Sequence, residues 1–188
     1  MKEYTIHTLS NGLKVLYFQY PHLKSTTLQM YLRGGRLYER PEQTEISHFL
    51  EHLLFKGTKK YPRNHELWDK IQSVGGYING HTGWESPSYP IKTTDDYVEL
   101  STEGLYELME NALLRIEDVD HEKKTVTEEL TRRINRPEEH MIQSILPTLI
   151  FRNTSLRVTM ENRIKNLENF SVKEVKEFYK KFYNADNM

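Results

Sequence analysis

The sequence predicts an α+β domain, a mainly antiparallel sheet with helices packed on one face. Three observations carry this: strand-like stretches dominate the first half, helical periods fill the second, and no internal repeat or low-complexity linker divides them. At 188 residues the chain suits one domain, 1–188, with a real hydrophobic core.

Alternation in Tyr4 to Leu9 and Leu13 to Phe18, either side of Asn11-Gly12, predicts a hairpin, because Asn-Gly supplies the positive φ of a tight turn. Thr26 to Arg33 reads as a third strand closed by Gly34-Gly35. Glu42 to Phe55 takes helical spacing through Ile46, Phe49, Leu50, Leu53 and Leu54, and Gly57 stops it. Asn64 is the expected N-cap of a short helix carrying Leu67, Trp68, Ile71 and Val74, which Gly75-Gly76 ends. Strands are expected again at Tyr77 to Trp84 and Ser86 to Thr94, with Pro87 and Pro90 pushing the latter to an edge. From Asp95 the period is helical, through Leu105 to Met109, Leu113-Leu114, Val126 to Ile134 and Met141 to Phe151. Ser171-Val-Lys-Glu174 is a capping box opening a last helix whose apolar stripe is Phe178, Phe182 and Tyr183.

Composition narrows the function. Twenty-six Lys and Arg nearly balance 27 Asp and Glu, a net charge of −1, so no long-range field draws nucleic acid or anionic lipid. The basic run Thr131-Arg-Arg-Ile-Asn-Arg136 reads better as a solvated helix end than as a nucleic-acid patch. With no cysteine, thiolate sites, disulfides and cysteine nucleophiles are excluded, and a transition metal has only His and carboxylate to bind. Met1-Lys-Glu-Tyr-Thr5 shows no apolar run after a basic one and no apolar segment approaches the ~20 residues of a membrane span, so no membrane and a cytoplasmic location are expected.

His48-Phe-Leu-Glu-His52 carries the chemistry. On a helix, positions i and i+4 share a face, so both imidazoles point at one ion, and Glu51 lies on the same face. Zinc suits imidazole and carboxylate, and His-x-x-Glu-His is a known metallopeptidase signature. A surface helix with two unrelated histidines is the competing reading, so a third ligand is needed. The stripe Val126, Leu130, Ile134 puts Glu129 at the core edge and Glu128 on nearly the opposite side, and Glu122, seven residues earlier, falls on the line of Glu129. One of these carboxylates can bind metal while the other orients a ligand histidine.

The motif, its continuation Leu53-Leu-Phe-Lys-Gly-Thr58, then Val74-Gly-Gly-Tyr-Ile-Asn79, then Glu128-Glu129 after a spacer of 76 residues from His52, resemble the pitrilysin, insulysin and mitochondrial-processing-peptidase family along nearly the whole chain. The resemblance implies that His48, His52 and Glu129 bind Zn2+, that Glu51 is the general base, that Glu122 supports the metal shell, and that Asn79 holds the substrate backbone. It implies a zinc peptidase, and a peptide lying extended along the strand edge near Tyr77 to Trp84 would favour short or unfolded substrates; the rival is a metal-retaining but non-catalytic peptide-binding subunit. Two departures stand out: Thr44-Glu-Ile-Ser47 replaces the usual Thr-Gly-x-Ala lead-in, and Gly80-His-Thr-Gly-Trp84 follows Asn79 in place of the commoner Ala-x-Thr run. His81 stays open between a structural strand residue and a fourth ligand or proton shuttle. Similar proteins continue into a further domain, so the chain is read as the first half of a longer two-domain architecture, completed by a second-half subunit or a homo-oligomer, with Phe178, Phe182 and Tyr183 read first as core.

Overall fold

The computed structural model describes residues 4–188; Met1, Lys2 and Glu3, the start of the N-terminal stretch read above, lie outside the described residues. Strands β1 (Tyr4–Thr8) and β2 (Lys14–Phe18) form the expected antiparallel hairpin, turned by Gly12 at φ +89°. The hairpin is a sheet of its own, and both of its faces are exposed instead of one.

The main sheet is built from β3 (Ser25–Tyr31), β4 (Tyr77–Ile78), β5 (His81–Thr82) and β6 (Pro87–Thr94), all pairing antiparallel with β6. The edge position expected for Ser86 to Thr94 is overturned: β6 lies between β3 and the β4–β5 pair. Pro87 opens the strand, and the carbonyl of Pro90 accepts from Asn79 N–H at 3.1 Å, so the side on which Pro90 lacks a donor faces the Asn79-Gly80 interruption between β4 and β5. That interruption also divides the predicted 77–84 strand in two. Tyr89, Ile91 and Thr93 turn inward while Lys92 and Thr94 stay in solvent, leaving one covered face.

Nine residues of the predicted first helix hold, but α1 (Ile46–Leu54) starts four residues later than expected. Pro41–Gln43 form a separate 3₁₀ turn and Glu45, at φ +91°, breaks the helical path. Helix α2 (Glu66–Ser73) is preceded by His65 in the left-handed region, so the Asn64 cap is corrected by one residue. Helices α3 (Val98–Glu110) and α4 (Ile116–Ile134) leave Leu113-Leu114 outside any helix: Leu113 N–H donates to Gly57, Ala112 bridges Thr58, and Leu114 sits at φ +46°. A π turn, Met141–Ile145, joins α5 (Pro137–His140) to α6 (Leu146–Ile150), and α7 (Met160–Asn169) precedes α8 (Val172–Phe182). Phe178, Phe182 and Tyr183 are buried, the core role expected of them. Ile46, Phe49, Leu50, Leu53 and Leu54 of α1 and Val126 and Leu130 of α4 share that core, which fixes the two helices on which the motif residues stand. Among the described residues no helix is long and apolar enough to cross a membrane.

Candidate metal centre

Burial of the apolar face of α1 turns His48 and His52 toward α4, where the Val126–Leu130 stripe presents Glu129. The rings stand 4.8 Å apart at 85°. Nε2 of His48 is 3.6 Å from Glu129 Oε1, and Nε2 of His52 is 3.4 Å from Oε2. His48, His52 and Glu129 thus offer ligand atoms within 4.8 Å of one another, a group that could hold a metal ion. Metal–ligand bonds of about 2.0–2.2 Å put tetrahedral neighbours about 3.3–3.6 Å apart, so the spacing to Glu129 fits.

Each residue of this group has an outer partner. His52 Nδ1–H donates to Glu122 Oε1 at 2.9 Å, and Lys56 Nζ holds Glu122 Oε2 at 2.6 Å. Although burial works against the charged imidazole, Glu122, Glu129 and Glu51 outweigh it and push His52 up to about 9. Burial raises Glu122, but His52 and Lys56 hold it below the usual carboxylate range. The hydrogen bond from His52, with the charges of His48 and Arg133, takes Glu129 down to about 2 against its burial. Arg133, one turn along α4, also donates to Glu129. His48 Nδ1–H donates to Glu45 Oε1 at 2.6 Å.

Glu51 lies on the same helix, and its Oε2 accepts from Thr82 Oγ1 at 2.5 Å, which ties α1 to β5. Gly80 is packed so closely that a methyl there would meet Glu51 Cγ at 2.7 Å. Asn79 sits exposed between β4 and β5; its amide donates to the Tyr77 hydroxyl at 2.9 Å and its oxygen accepts from Gly80 N–H at 2.9 Å. The side-chain hydrogen bonds of Asn79 are thus local ones, to Tyr77 and Gly80, and His81 is exposed and not part of the three-residue group. Sequence reasoning missed Glu45, Lys56, Thr82 and Arg133. Lys56 and Arg133 follow a site residue by one helical turn, a signal that was legible; Glu45 and Thr82 act through backbone geometry that no local spacing encodes.

Residues 14–163 match the family described as Insulinase (Peptidase family M16). The chain is 26% identical over 189 residues to a zinc protease of Rickettsia felis, covering 100% of this chain and 45% of that protein. It is 26% identical over 186 residues to the mitochondrial-processing peptidase subunit beta of Dictyostelium discoideum, covering 99% and 39%. The chain therefore spans less than half the length of these relatives. A protease structure from Helicobacter pylori superposes with a TM-score of 0.89 at 23% identity over 99% of this chain and 45% of that one, and pitrilysin with 0.83 at 23% over 98% and 20%, which shows a shared fold.

Proposed function

The chain belongs to the insulinase family, Peptidase family M16, and from that membership we propose that it is the metal-holding half of a zinc peptidase that cleaves short or unfolded peptides. The observation that carries the reading is the convergence of two imidazole nitrogens on one carboxylate, 3.6 and 3.4 Å away, from helices far apart in sequence. In this reading His48, His52 and Glu129 are the ligands, and the absence of cysteine leaves a His/His/carboxylate set that suits zinc. Bound there, zinc supplies Lewis-acid polarisation of a peptide carbonyl and acidification of a water molecule.

The chain's own residues do the rest. Glu51 takes a proton from the attacking water and delivers one to the departing amine, with Thr82 fixing one carboxylate oxygen so that the other is free for transfer. Glu122 keeps the His52 ring oriented. Among the described residues β4 and β5 pair on one side only, so an extended peptide adds along Tyr77 to Trp84 through main-chain hydrogen bonds, with the Asn79 amide leaving Tyr77 to hold its backbone. A second half, in another subunit or in a second copy, covers the peptide, in keeping with the shares of 45% and 39% that this chain spans in its relatives. Cytoplasmic residence belongs to the same proposal and is tested by cell fractionation.

Elemental analysis and quenched-peptide cleavage, before and after chelation, test the reading. Zinc should be present and activity lost with it; Glu51→Gln should keep the metal and lose cleavage by about 10²–10⁴-fold. Cleavage only when a second half is added upholds the site and shows the chain to be incomplete. Zinc retained with no cleavage in either arm selects the non-catalytic peptide-binding role, and an active Glu51→Gln protein removes the base assignment.

A further inference from the structure

Glu45 occupies the position before α1 at φ +91°, a left-handed conformation in which glycine is the default residue. Its side chain is fully buried. The backbone is held there from outside: Glu45 N–H donates to Glu39 Oε2 at 3.0 Å, and Ser47 N–H donates to Glu39 Oε1 at 2.9 Å. From this backbone Oε1 reaches His48 Nδ1 at 2.6 Å while Oε2 faces Arg163 Nη1 at 3.7 Å. Burial would raise this carboxyl, but Arg36, His48 and Arg163 hold it far below the usual range. The arrangement repeats on His48 what Glu122 and Lys56 do on His52, with a carboxylate behind the ring and a cation behind the carboxylate.

We propose that Glu45 is a positioning residue for the metal centre, fixing His48 with Nδ1–H turned inward and Nε2 turned toward Glu129. This rests on the reading that His48, His52 and Glu129 hold zinc. A strained residue in a buried polar cluster is kept where the surroundings determine it, and strain of this kind gathers at functional sites. Neutralising Arg36 and Arg163 is the rival role for Glu45; it requires no contact with His48 and predicts lost stability with metal binding unchanged.

The test compares zinc affinity, by chelator competition, and the visible spectrum of the cobalt-substituted protein for the wild type, Glu45→Gln and Glu45→Gly, with circular dichroism as the folding control. Glycine suits the backbone at this position, so the second variant removes the carboxylate without adding strain. Both variants should bind zinc about 10- to 100-fold more weakly and shift the cobalt bands. Long-range ¹⁵N–¹H NMR of the zinc-loaded wild type reads the same point without any substitution: His48 should carry its proton on Nδ1. Variants that match the wild type in affinity and spectrum, or a His48 protonated on Nε2, would overturn the positioning role. A wild type that binds no zinc at all would instead sink the metal reading beneath it.

Discussion

Glu39 is a buried carboxyl with three donors and, among the described residues, no cation bonded to it: Glu45 N–H, Ser47 N–H and the Ser47 hydroxyl all point at its oxygens. Burial, helped by the charge of Glu45 and opposed by the Ser47 hydroxyl, pushes it up to about 7 from an ordinary 4.5. The folded protein therefore keeps a proton that the unfolded chain releases between those values, so the contribution of Glu39 to stability is greatest below pH 4.5 and declines as pH climbs to about 7. At about 1.4 kcal/mol per unit the decline is about 3 kcal/mol. Denaturant unfolding of wild type and Glu39→Gln at acidic and mildly alkaline pH checks this. The difference between the two should move by about that amount in favour of Glu39→Gln as pH rises, and a constant difference would mean that the pKa of Glu39 is the same in the folded and unfolded chain.

Helix α8 shows how local sequence can fix an element. Ser171 Oγ accepts from Glu174 N–H at 3.2 Å and Glu174 Oε2 accepts from Ser171 N–H at 2.9 Å, the capping box written in Ser171-Val-Lys-Glu174. Ser171→Ala should cost about 1 kcal/mol in chemical denaturation, because α8 buries Val175, Phe178 and Phe182 and its fraying loosens the core; an unchanged midpoint would show that packing alone holds the helix start. The same kind of local signal made the Asn11-Gly12 hairpin, the α1 and α4 stripes and the shared face of His48 and His52 readable, since local turn chemistry and a period of 3.6 residues fix which side chains come together; the choice of Glu129 over Glu122 rested on the family resemblance. What stayed hidden depends on distant partners. The late start of α1 comes from Glu39 clasping the backbone at Glu45 and Ser47. The central place of β6 comes from pairing Pro90 opposite a break in the neighbouring strand. Leu114 leaves the helical path because its segment is clamped to Gly57 and Thr58. The link from Glu45 to His48 and Arg163 needs both that backbone and a partner more than a hundred residues away.

At the scale of the whole molecule the proposed ligand set joins α1 to α4, two helices that share the apolar core through Phe49, Leu53, Val126 and Leu130 and are also tied by the His52–Glu122 hydrogen bond. An ion held by residues from both exists only in the folded state, so its binding free energy adds to folding. At free zinc about 1,000 times the dissociation constant the gain is about 4 kcal/mol. For a chain of this size each kcal/mol moves the melting midpoint by about 2–4 °C, so chelation should lower it by roughly 8–16 °C. Differential scanning calorimetry with and without a chelator measures this, and Glu129→Gln supplies the control. Glutamine keeps the shape of the side chain and loses its charge, so the zinc-dependent part of the midpoint should shrink sharply; the metal-free midpoint should fall as well, because Arg133 and His52 lose the carboxylate they pair with. A wild type that melts at one temperature with or without zinc, or a zinc shift that survives intact in Glu129→Gln, would mean that any metal stabilising this fold sits elsewhere than between the two helices.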